Sequence, residues 1–235
     1  MGEIMGKNAK EEELLKAINE KRKEDPLIGA KIGSKELIER IISALKKRNG
    51  VHTESLLCIL GALGGYACHI AIREVCVDSG KLPENQAFTI VGGADGNKYY
   101  FGDYVNQPLV QDKFSFWALV AGEAKHHGAV LPDINLTFAA VAKTVGSDKF
   151  GIPNVPEHHK AGSLPIQYLK ALWVQVSRFL DKFCESPVEK PILIGMAAQK
   201  AIEMSKDVIP PEIAVQLLME SAVPMSKVGP EWISS

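Results

Sequence analysis

Apolar residues recur at helical spacing along most of this chain, and one short stretch departs from that rhythm. Leu14, Leu15 and Ile18 mark a first apolar face, and Leu37, Ile38, Ile41, Ile42 and Leu45 mark a second. Offsets of three and four put side chains on one side of a helix, so each set predicts an amphipathic helix. Asp25-Pro26 separates the two, because proline disfavours helical backbone in the residue before it. Lys46, Lys47 and Arg48 complement the carboxyl end of the second helix, and Asn49-Gly50 is a stop signal.

The run from Ser55 to Ile72, SLLCILGALGGYACHIAI, carries no formal charge. At about 18 residues it sits at the lower edge of what spans a bilayer. Ser55, Tyr66 and His69 interrupt it, and its glycines and alanines make it only moderately hydrophobic. Gly61 and Gly65 stand in GxxxG spacing, which lets two helices approach closely inside a protein core as well as in lipid. The run predicts a buried central helix that does not span a membrane.

The departure comes at AFTIV and KYYF, whose β-branched and aromatic residues read as strands. Between them lies GGADGN, and its Asp95-Gly96 pair tolerates positive φ and signals a hairpin. The surrounding VGGADGNKYYFGD does not pass from strand into helix and matches neither GxGxxG nor GxxxxGK[ST], so it is not a phosphate loop. It also lacks the acidic spacing of an EF-hand.

Helices resume afterwards. Asn106 is a candidate N-cap ahead of Pro108, and Asp133 another ahead of INLTFAAVAKTVG. A long aperiodic loop, SDKFGIPNVPEHHKAGSLP, suggests a function or an interface. From Pro165 a helix carries Tyr168, Leu169, Leu172, Trp173, Val176 and Leu180 on one face, and PVEKPILIGMAAQKAIEMSKD and PPEIAVQLLMESAV supply two more. The whole predicts a mainly α, multi-helix, bundle-like domain with a central buried helix and one β-hairpin at about residues 86–102. Residues 1–30 form a helical arm and residues 31–235 a single domain, the arm being suited to pack on a partner chain.

Composition alters this picture little. The 235 residues are 46% hydrophobic and 23% charged, with a net charge of -1, so no field favours nucleic acid or an anionic membrane. Cys58, Cys68, Cys76 and Cys184 form no CxxC pair, which leaves zinc knuckles and thioredoxin-like motifs unsupported. The start lacks the apolar core of a secretory signal, and Gly6 occupies the Ser/Thr place of a myristoylation signal. Free thiols and a cytoplasmic location are expected.

The histidines offer candidate chemistry. His126 and His127 follow Glu123 by three and four positions, which a helix would bring together, and His158-His159 lies in the long loop. Carboxylate and imidazole at that spacing form half of a carboxylate-bridged metal motif, so Glu123, His126, His127, His158 and His159 are the candidate ligands of a divalent zinc or iron ion. The set is incomplete, and the bland alternative is a helix-end imidazole stabilised by the dipole beside a solvated loop pair. No GxSxG elbow is present, the S-x-x-K match at Ser43 to Lys46 falls on a polar helix face, and His69 reads as a core histidine.

A second candidate site has apolar walls and a few polar tips, as a small-molecule pocket or an interface would. It comprises Tyr99, Tyr100, Asp103, Tyr104 and Asn106 at the hairpin, with Glu220, Ser226 and Lys227 in the tail. The leading functional expectation is a self-associating interaction protein or small-molecule binder. The rival is a metal-dependent, hydrolase-like enzyme built on the Glu/His cluster.

Overall fold

The computed structural model describes residues 2–48 and 50–233. Helix α1 spans Gly2–Lys21 and α2 spans Ile28–Leu45, with the turn at Asp25 and Pro26 between them. Asn49, half of the expected stop signal, lies outside the described residues, while Gly50 adopts φ 102° in the turn that follows α2. Ile18 is buried, and Arg22 donates to Glu189 at 3.0 Å and to the Phe183 carbonyl, so this end of α1 is fastened to the body.

Helix α3, Thr53–Ile72, is the predicted central helix, and it continues through a wider π-type turn at Arg73–Asp78. It is the one helix among the described residues long and apolar enough to cross a membrane, yet 94% of its most apolar window is buried within the fold. Its neighbours supply what lipid would: α8 (Pro165–Phe183), α9 (Glu189–Ser205) and α10 (Pro211–Met225) pack along it.

The tightest of these contacts runs along the glycine face. A Cβ built on Gly61 would strike the Leu218 carbonyl oxygen, and one on Gly65 would strike the Ala222 backbone. Backbone cannot swing aside as a side-chain tip can, so only glycine permits this approach. Spacing in the sequence thus determines an interhelical distance in the fold.

A short helical turn, α4 (Glu84–Ala87), leads into the hairpin. Strands β1 (Thr89–Gly92) and β2 (Lys98–Phe101) pair antiparallel with Ile90 opposite Tyr100. The loop is held by Asp95, which accepts from the Asn97 amide at 3.1 Å and from the Tyr99 hydroxyl at 2.8 Å, while Gly96 takes φ 80°. A two-stranded hairpin is marginal alone. Here Tyr100 donates its amide to the Lys227 carbonyl at 2.8 Å, and Tyr99 bridges Val228, so the tail after α10 extends the ribbon.

Asn106 does not cap the long helix. It ends a short turn, α5 (Asp103–Asn106), which runs through a π-type turn containing Pro108 before α6 begins at Phe116. The cap of α6 (Phe116–His126) is Ser115, whose hydroxyl accepts from the Ala118 amide at 3.2 Å. The Asn106 oxygen is taken instead by Lys227, at 3.1 Å. Helix α7, Ile134–Thr144, has the expected Asp133 cap, with its carboxylate 3.0 Å from the Asn135 amide.

Two glycine substitutions test the α3–α10 seam. Gly65→Ala should cost about 1–3 kcal/mol through overpacking against Ala222. Gly122→Ala, on α6 in open space, should gain about 0.4–1 kcal/mol by removing glycine's excess freedom in the unfolded chain. Chemical denaturation of both variants checks the pair, and equal effects would place the seam elsewhere.

Candidate functional site

The first turn of α3 builds a polar cluster from consecutive residues. His52 is the N-cap, and its Nδ1 accepts from the Ser55 amide at 3.3 Å. A lone pair at Nδ1 fixes the tautomer and puts the ring proton on Nε2, which lies 3.6 Å from Glu54 Oε2. The Ser55 hydroxyl oxygen stands 2.9 Å from the same Nδ1. Glu54, at the positive end of the helix dipole, also meets His159 Nδ1 at 3.1 Å.

Distant residues complete the cluster. Tyr168 of α8 donates its hydroxyl to Ser55 Oγ at 2.8 Å, and the Gly162 amide donates to it at 3.0 Å. Ser55 Oγ therefore accepts two hydrogen bonds and has its own proton directed at an imidazole nitrogen. One structural result is that the loop at residues 160–164 is tied to α3. Gly162 suits this close approach, since a Cβ there would come within 3.3 Å of Ser55 Oγ.

This cluster lies in the wall of a cavity of about 530 Å3, bordered by Leu45, Lys47, Gly50, Val51, His52, Ser55, Gly162, Ser163 and Tyr168. An apolar groove of about 320 Å3 runs between α2 and α8, lined by Leu37, Ile41, Leu45, Ile59, Tyr168, Leu172, Val176 and Phe179 among others. Leu45 and Tyr168 border both. The two spaces share these border residues, one rich in polar groups and one mainly apolar with Arg40 and Gln175 in its lining, and both fall in the size range of small-molecule sites.

The residues singled out at the hairpin and tail lie elsewhere. Tyr99 is fully buried against Phe150 and Trp232. Tyr100 is stacked edge-on to His69 and Phe88, with its hydroxyl 3.3 Å from Glu231. Asp103 and Tyr104 are exposed on α5. Ser226 is buried and satisfies its hydroxyl on the Val223 carbonyl at 2.7 Å. Glu220 accepts from Thr137 at 3.1 Å and borders a separate cavity of about 420 Å3, where burial raises its carboxyl above the ordinary range.

Lys227 is the exceptional member of that set. It is 1% exposed, its ammonium lies over Phe101 at 5.5 Å and Phe138 at 5.4 Å, and its polar partner is Asn106. Burial without a carboxylate partner lowers its pKa to about 8. Nearby, burial lowers His69 to about 3, and its Nδ1 makes no well-formed hydrogen bond. The adjacent Cys68 thiol is pushed well above its usual range and Cys58 to about 11, so neither is a ready nucleophile.

The candidate metal ligands divide into separate pairs. His127 Nε2 bonds Glu123 at 2.9 Å on α6, with the exposed His126 ring beside it. The His158 ring lies tilted beside His159, whose carboxylate partner is Glu54 rather than Glu123. Among the described residues no three His, Cys, Asp or Glu side chains converge as a metal ion would require.

No family model, curated protein or solved structure matches this chain. Ser55 reads from the sequence as a polar interruption of an apolar run, and it matches neither GxSxG nor S-x-x-K. The available signal was His-Thr-Glu-Ser at residues 52–55, where an offset of three across a helix start brings His52 to Ser55.

Lys227 gives a pH prediction. Between its folded value of about 8 and its ordinary 10.5, the unfolded chain holds a proton that the folded chain has released. The lysine's cost to stability is thus full below pH 8 and is relieved as pH rises through that window. Relative to Lys227→Met, the wild type should gain on the order of 1–3 kcal/mol across it. Urea denaturation at several pH values checks this, and a pH-independent difference would contradict the burial.

Proposed function

We propose that the protein binds an amphipathic small molecule, with an acceptor-bearing head over Ser55 and an apolar tail between α2 and α8. The observation that carries this reading is that Leu45 and Tyr168 line both the polar cavity and the apolar groove. Lys47 and the imidazole of His52 supply the head-group donors, since Tyr168 and the Gly162 amide already donate to Ser55 Oγ. A carboxylate or ester carbonyl satisfies such donors, whereas a cation would face Lys47 unpaired.

The tail is favoured by burial. Ile41, Leu172 and Val176 offer hydrocarbon walls to the groove, and each methylene removed from water contributes about 0.8 kcal/mol. The same energetics predict affinity that rises with chain length until the groove is full. A polar metabolite without a tail would leave that surface wet.

Linear fatty acids provide the test. In calorimetry, affinity should rise from hexanoate to decanoate, and Leu172→Glu should weaken decanoate at least about tenfold by placing a charge in the groove. Leu172 is only partly buried, so the variant should keep its helical circular dichroism. Absence of binding at every chain length, or an unchanged affinity in Leu172→Glu, would overturn the reading.

A further inference from the structure

We infer that Ser55 is a nucleophile for acyl transfer, with His52 as its general base, acting on esters whose acyl chain occupies the groove between α2 and α8. This rests on the small-molecule reading above and adds chemistry to the same cavity. Its geometric basis is the 2.9 Å approach of Ser55 Oγ to the lone-pair nitrogen of His52 within the cavity wall.

A latch between α3 and the loop at residues 160–164 would need only the Tyr168 and Gly162 bonds. The imidazole caps α3 through the Ser55 amide and also reaches the Ser55 hydroxyl, a contact that capping alone does not need. The His52 side chain is 55% exposed, while Ser55 itself is buried. Glu54 stands on the far side of the ring, 3.6 Å from Nε2, where a carboxylate favours the imidazolium that proton transfer creates. Base, carboxylate and nucleophile thus follow in order across residues 52–55, with Tyr168 and Gly162 as donors to Ser55 Oγ.

The reaction balances with water as the only co-reactant. Ser55 Oγ bonds to the ester carbonyl carbon as its proton moves to His52 Nδ1. The carbon–oxygen bond to the leaving alcohol then breaks, and that oxygen takes the proton from His52. Water attacks the acyl-serine, giving one proton to His52, and Ser55 recovers it as the fatty acid departs. As Oγ bonds to the carbonyl carbon it accepts hydrogen bonds less well, so Tyr168 and Gly162 become free to donate to the oxyanion forming on that carbon.

The test uses the full chain with two fluorophosphonates, one carrying an octyl group and one a methyl group. Attack by Ser55 forms an oxygen–phosphorus bond and expels fluoride, and peptide mass mapping locates the adduct. The expected result is a single adduct on Ser55, formed at least about tenfold faster with the octyl probe. His52→Gln should slow it by about 100-fold or more. An adduct on any other residue overturns the assignment. So does no adduct while decanoate still binds, which spares the binding reading, whereas loss of both defeats the two together. Mapping on the wild type decides the matter whether or not Ser55→Ala folds.

Discussion

The close passage of α3 against α10 is the constraint on which the rest of the structure depends. At Gly61 and Gly65 the space that a side chain would fill is occupied by the backbone of Leu218 and Ala222. Such proximity buries α3 along nearly its whole length and leaves room for α8 and α9 to close over its other faces. It also aligns the two ends of the molecule. The start of α3 presents His52 and Ser55 to the loop before α8. Its far end carries His69 to where the chain leaves α10 at Ser226 and Lys227, against the hairpin.

The two ends use polar groups in opposite ways. Around Lys227 and His69 burial dominates, and both bases are driven toward their neutral forms. Burying Lys227 without a carboxylate partner is a cost in stability at the junction of α5, α10 and the hairpin. Around Ser55 the polar groups are mutually satisfied and border open space, with an exposed imidazole at the rim. We place the proposed ligand at that end, where a hydroxyl in a cavity wall stands beside an imidazole.

The fold was legible where the signal was local. Apolar periodicity at Leu37, Ile38 and Ile41, the glycines of α3, Asp95-Gly96 and the Asp133 cap each act within a few residues, and each appears in the structure. Asn106 misled because its oxygen is claimed by Lys227, 121 residues away in sequence. The site was half legible for the same reason. His52 and Ser55 are neighbours on one helical turn, but Tyr168, Gly162 and His159 reach them only because α8 folds back across α3. Glu123 with His127 was visible as an i, i+4 pair, whereas the partnership of His159 with Glu54 was not.

Amide hydrogen exchange tests the central claim most directly. If the α3–α10 seam organises the molecule, amides in the middle of both helices exchange only through global unfolding, with protection equal to the free energy from denaturation. Helices α2 and α7, at the periphery, open at lower free energy. Exchange in the middle of α3 that is faster than in α2 or α7 would contradict the account, and would place the organising contact in another pair of helices.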